Sequence, residues 1–312
     1  MKNLKRGKAS KEQKRKHSDL YTAAISINDL EEYNKTIVSK IVSLVSQRFT
    51  MNMRSIVNVA LLPVLLVYYG VSNTSSIERF RRAMMNGELP DDKKKAKKII
   101  EQRMKKMDKQ DDLDWSLSIL DSLAEEDPEL IESIQNAHKQ NILSLWTTFE
   151  VLASDLWIEA VNEFPSKLGM AAFKARKERM SGIIIKSFLE SGFRLDMSRD
   201  FGNAVAVCYD FSGVADIARN YRTVFGEVGK SIHDELKNNK ELILLQALRN
   251  IIIHNGGIID KVYCGLMGDD SILGSKITVK GKDVMEYGKV VLEAGIGLMK
   301  FVDEWVVMRE SS

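Results

Sequence analysis

Apolar side chains recur along most of the chain at three- and four-residue spacing, the mark of helices that bury one face. From Asp29 to about Tyr69 the repeat runs through Ile37, Ile41, Leu44 and Val45 and predicts helix. Ser75-Ser76-Ile77-Glu78 has capping-box spacing and predicts that a second helix starts there, to be ended by Asn86-Gly87 and Pro90. Residues 91–112 read as a highly charged helix or linker, and Asp127-Pro128 as a turn. Beyond it, Ile131–Phe164 is a long amphipathic segment with Leu143, Leu145, Trp146, Phe149, Leu152, Leu156 and Trp157 on an apolar face; Pro165 closes it. Further helices are expected over Lys167–Leu189, Phe201–Phe225, Lys240–His254 and about Asp283–Met308. The period changes only at Ile258–Tyr263 and Lys276–Val279, which read as two short strands around a Gly268-Asp269-Asp270 turn. The expected class is all-α: a helical bundle with one β-hairpin before the last helix, plus a helical N-terminal extension. The expected division is a basic, disordered tail (1–20), a helical N-terminal region (21–128) and a helical domain (129–312).

Composition narrows the function classes. With 44% hydrophobic residues, the 312-residue chain can bury a real core, which argues against disorder or a fibre. Its two cysteines, Cys208 and Cys264, cannot build a disulfide framework and fit a reducing cytoplasm. The start is charged, without the apolar region of a signal peptide. The net charge of +3 says little, but its distribution says more. Residues 1–17 hold eight Lys/Arg against Glu12, and residues 93–109 hold nine against Glu101 and Asp108. Such blocks attract polyanions, or simply form solvated faces. No residue from Ser55 to Ile77 is charged, which is long enough to cross a bilayer. The apolar heart, Ile56–Val71, holds Asn58 and Pro63 and reads as a core helix in preference to a membrane anchor.

Several short motifs fail on their chemistry. Gly229-Lys230-Ser231 resembles the end of a phosphate-binding loop, but Val224 stands where that loop needs glycine. Gly295-Ile296-Gly297 lies inside an apolar helix and reads as close helix packing. There is no Cys/His cluster with zinc spacing and no Gly-x-Ser-x-Gly elbow, and neither a metal nor a cofactor is expected.

The informative stretch is Leu245–Asp260, LQALRNIIIHNGGIID. A helix should run through it and stop at Asn255-Gly256-Gly257, because Asn and Gly tolerate the left-handed conformation that ends helices. His254 then stands in the last turn, where the macrodipole favours positive charge. Asn250 and His254 lie one turn apart on one face with Arg249 adjacent, while Leu245, Leu248, Ile251 and Ile252 cover the other side. A guanidinium, an amide and an imidazole on one edge suit a phosphodiester. Arg binds phosphate oxygens in bidentate fashion, and His passes a proton at neutral pH.

Arg249-Asn-Ile-Ile-Ile-His254, followed by Asn-Gly-Gly, resembles the R-x4-6-H signature of HEPN domains. The Trp146-Thr-Thr-Phe-Glu150 segment is similar to an aromatic-Glu pattern on an early helix of several HEPN families. The resemblance covers about residues 130–312 and implies a metal-independent endoribonuclease of the toxin or phage-defence type. It implies a composite site in a homodimer, with RNA as substrate and an antitoxin or defence-system protein as a further partner. Arg249 would hold the phosphate, His254 would act as general base or acid, and Asn250 would position one or the other. Glu150 is the acid that would orient Arg249 or else an exposed helix charge, and Asn255 supports the helix end. Lys174, Arg176, Lys177 and Arg179 would line an RNA path or form a solvated face. Gly256 stands where the toxins that are nucleotidylated by an antitoxin carry Tyr, which sets this chain apart from them. Two other classes stay open at this point: a catalytically silent binding module of the same fold, and a membrane-associated interaction protein.

Overall fold

The structure is a computed structural model. It describes residues 27–85, 126–177 and 200–310, with positions 95, 116, 119–120, 122–123 and 182. Among these residues the chain is mostly helical and forms no strand, so the class is all-α. In chain order the helices are α1 (Asn28–Asn34), α2 (Lys40–Met85), α3 (Pro128–Glu163) and, after a π-helical turn at Pro165–Gly169, α4 (Met170–Ala175). They continue as α5 (Phe201–Ala206), α6 (Val214–Phe225), α7 (Lys230–Asn238), α8 (Lys240–His254), α9 (Lys261–Met267) and α10 (Gly281–Glu310). The expected 1–20 tail, the charged segment 91–112 apart from Lys95, and the second half of the expected basic helix lie outside the described residues.

Local chemistry explains where several helices begin. Asp127 accepts the Glu129 N–H at 3.0 Å, and Pro128 at the first helical position lacks the N–H that would otherwise need a partner. The dipeptide that reads as a turn is thus also the N-terminus of α3. Ser75-Ser76-Ile77-Glu78 starts nothing: α2 runs unbroken through it. A capping box works only where the chain enters from a non-helical residue, and Thr74 is already helical. Pro63 sits inside α2, where it removes one backbone hydrogen bond.

Two compact units emerge from the contacts. Asn58–His138 and Val279–Asp283 belong to one; Ile25–Val57, Lys139–Thr278 and Val284–Ser312 belong to the other. This division does not follow the boundary at residue 128. The reason lies in the first half of α2, where Val42, Val45, Phe49 and Met53 are at most 2% exposed. A Cβ built on Gly295 would lie 2.7 Å from Phe49 Cζ and 2.9 Å from Leu152 Cδ2, so these elements approach closely. Asp303 accepts the backbone N–H groups of Val38 and Ser39 at 3.2 and 2.7 Å, just ahead of α2.

The larger unit is organised by α3. Ile142, Leu145, Trp146, Phe149, Leu156 and Trp157 are buried at three- and four-residue spacing. Each such side chain contributes about 1.5–3 kcal/mol of transfer free energy. Phe225 meets Phe301 at 5.0 Å and Trp305 at 5.2 Å, ring centre to ring centre. The buried Tyr221 hydroxyl donates to Ala153 O at 2.8 Å. In the smaller unit Val64, Leu120 and Ile134 form a cluster, with Val67 and Leu130 against it.

Lys40–Gly70 is long and apolar enough to cross a membrane, with 28% of its most apolar window buried. Ile56, Ala60 and Val64 are buried, while Val59, Leu62, Leu66 and Tyr69 are exposed. The stretch is therefore a core helix on one face only.

Two expected elements are replaced. Phe201–Phe225 is two helices, because Val207–Gly213 is held as a loop by its own polar groups. Asp210 accepts the Ser212 N–H at 2.8 Å, Asn220 donates to Asp210 O at 2.6 Å, and Gln246 accepts the Val214 N–H at 2.9 Å. The expected hairpin reduces to one isolated antiparallel bridge, Ile258 to Lys276. Asp260 accepts the Tyr263 N–H at 2.9 Å and caps α9, so half of the first expected strand is helical. Gly268 then ends α9 at φ +70° in place of forming a hairpin turn.

Candidate functional site

The site is built on the C-terminal half of α8. Asn239 starts that helix by accepting the Leu242 N–H at 2.9 Å. Leu242, Leu245, Leu248 and Ile251 bury its inner face, leaving the other edge to polar groups. The helix stops at His254. Asn255 and Gly257 both donate their N–H groups to Ile251 O at 3.1 Å, and Gly256 and Gly257 have φ of +60° and +85°. Only glycine adopts such angles freely, which is why Asn-Gly-Gly stands here.

Arg249 and Asn250 are half-buried, and His254 and Asn255 are exposed. Arg249 Nη1 donates to Asn250 Oδ1 at 3.0 Å, so the amide holds the guanidinium. Asn255 Nδ2 donates to Asp260 Oδ2 at 3.1 Å while the other carboxylate oxygen caps α9. Asp260 thereby ties the loop after His254 to the next helix.

Glu150 projects from α3 and is half-buried. Burial pushes its carboxyl up from the ordinary carboxylate range, Arg249 pulls it back, and Asp210 pushes it up further. Asp210 itself is held below the usual range by its hydrogen bonds from Ser212. The guanidinium of Arg249 therefore has Glu150 as an anionic neighbour. The sequence analysis missed Asp210 and Asp260. An Asp three residues before a backbone N–H at a helix start is a capping signal, and it was available for Asp260.

The basic residues divide. Lys174 and Lys177 are exposed, at and just past the end of α4. Arg176 is half-buried, its guanidinium 5.4 Å from the centre of the Tyr209 ring. The Tyr209 hydroxyl in turn donates to Ala172 O at 2.7 Å. Arg179 lies outside the described residues. The loop after α5 thus carries Arg176 on Tyr209 and places the adjacent Asp210 within electrostatic reach of Glu150.

Among the described residues, no group of three or more His, Cys, Asp or Glu side chains is gathered closely enough to hold a metal ion. The Gly229-Lys230-Ser231 segment opens α7, and a Cβ on Gly229 would come within 2.8 Å of Tyr221 O. That glycine serves close backbone packing. Comparison of the chain with family models, with curated proteins and with solved structures found no match.

Proposed function

We propose that the chain is a metal-independent endoribonuclease that acts in the cytoplasm as a toxin or phage-defence effector, with a HEPN-like helical bundle over 129–312. The observation that carries this is the edge of α8. Arg249 is held by Asn250 beside Glu150, and His254 is presented one turn later at the solvent-exposed helix end. In the proposed reaction an RNA 2′-OH attacks the adjacent phosphorus. The 2′-O–P bond forms, the P–O5′ bond breaks, and a 2′,3′-cyclic phosphate and a 5′-OH result. One proton leaves the 2′-OH and another reaches the departing 5′ oxygen. His254 makes one of these transfers, and Arg249 stabilises the charge that grows on the phosphate oxygens. Lys174 and Lys177 contribute to the RNA path. A homodimer would pair the base of one protomer with the acid of the other.

The test is cleavage of single-stranded RNA by the purified chain, with end-group analysis of the products. His254→Ala and Arg249→Ala each lose on the order of a hundredfold or more in rate. Cleavage by His254→Ala at the wild-type rate would sink the reading. A mobility shift without any cleavage would identify a silent RNA-binding module instead.

A membrane-associated reading rests on one observation, the exposed Val59, Leu62, Leu66 and Tyr69 at helical spacing on α2. Flotation of the chain with lipid vesicles distinguishes it from the ribonuclease reading.

A further inference from the structure

A concentrated apolar surface adjoins the motif. Ile253, Ile258, Val262, Leu266, Met267 and Leu273 are 44–69% exposed, although they stand within one short stretch of chain. Helix α9 buries Tyr263 and Cys264 and turns Val262 outward at 69% and Leu266 at 46% exposure. Those two lie one turn apart on one face, with Gly265 between them. A Cβ on Gly265 would meet nothing within 4 Å, so the exposed face of α9 is flat at its centre.

We propose that this face is where a second copy of the chain docks, with α9 packed antiparallel against α9 of the partner about a two-fold axis. Two arguments select a second copy. The first is charge. Lys261 opens α9, and the exposed Asp269 and Asp270 follow its end. An isologous antiparallel contact sets each Lys261 opposite the partner's acids, so the face is complementary to itself. An anionic lipid surface would meet the same acids as repulsion. The second is area. The six side chains offer on the order of 500 Å² of exposed surface, which with its polar rim reaches the size of a stable interface at about 800 Å² per partner. Ile253 and Ile258 carry the surface to both sides of His254 in the chain, so the partner sits beside the motif. The proposal goes beyond the ribonuclease reading and does not need it.

The experiment is sedimentation equilibrium on the full chain, with circular dichroism on every variant. Wild type sediments as a dimer at micromolar concentration. Val262→Asp/Leu266→Asp sediments as a folded monomer. Lys261→Glu sets like charges opposite each other and weakens the dimer about tenfold or more. Adding Asp270→Lys to Lys261→Glu restores it to within a few-fold of wild type, which no loss of folding can mimic. A wild-type monomer at all concentrations would overturn the proposal and assign the face to a different partner. So would a dimer that is indifferent to both Val262→Asp/Leu266→Asp and Lys261→Glu. A wild-type dimer that cleaves no RNA upholds this surface and removes the ribonuclease reading alone.

Discussion

Glu150 shows how a single side chain links stability to the proposed chemistry. Burial raises its carboxyl above the ordinary glutamate range, with Arg249 opposing and Asp210 assisting. The folded chain therefore binds this proton more tightly than the unfolded chain does. Stability contributed by the protonated form is present at low pH and falls as pH rises from the usual glutamate range through the raised value. Glu150→Gln removes the titration. Its melting temperature should fall less than that of wild type between pH 4 and pH 7, as read by thermal melts across that window. Asp155, also raised by burial against the pull of Arg48, titrates in both proteins and cancels in the comparison. The same substitution takes the anionic neighbour from Arg249, so RNA cleavage should drop while the fold becomes firmer at neutral pH. Parallel melting curves for the two proteins would show that Glu150 ionises without penalty.

At the scale of elements, two glycines that look equivalent in the sequence part company. Gly295 and Gly297 both lie in α10. A Cβ at Gly295 falls 2.7 Å from a ring carbon of Phe49, which is 2% exposed and has nowhere to move. A Cβ at Gly297 meets only the end of the Glu235 side chain, at 3.0 Å. Gly295→Ala should thus lower stability by about 1–3 kcal/mol through overpacking. Gly297→Ala should be neutral or raise it by up to about 1 kcal/mol, the helix-propensity difference between Ala and Gly. Urea unfolding measures both, and equal effects would show that α10 slides to accommodate either methyl. Helix ends follow the same logic of local contacts: Asn239 caps α8 and Asp260 caps α9, so both ends of the loop after His254 are held by backbone hydrogen bonds.

For the whole molecule, the ribonuclease reading ties activity to assembly and to proton transfer. Cleavage should survive EDTA, since the proposed site works through side-chain charge. The pH–rate profile should bend in the neutral range, where histidine changes protonation. An excess of His254→Ala chains mixed with wild type should depress activity by forming half-equipped dimers. Complete loss in EDTA that magnesium restores, or full activity from a demonstrated monomer, would refute that mechanism.

Periodicity carried the helices of this chain because the 3.6-residue repeat is a local property. The apolar stripes of α3, α8 and α10 and the Asn-Gly-Gly stop after His254 were all legible, as was the shared edge of Arg249, Asn250 and His254. Local signals misled where they depend on what the chain does next. The capping box at Ser75 lies inside α2 because no break precedes it, and the alternation at Ile258–Tyr263 yields to the Asp260 cap. Contacts between distant residues were beyond the sequence. That Asp210 comes to Glu150, that Arg176 lies over Tyr209, and that Phe49 packs at Gly295 follow from chain crossings that only tertiary packing sets. The same packing decided which apolar residues stay outside: Val262 and Leu266 have the hydrophobicity of core residues, and the burial of Tyr263 and Cys264 turns them to solvent.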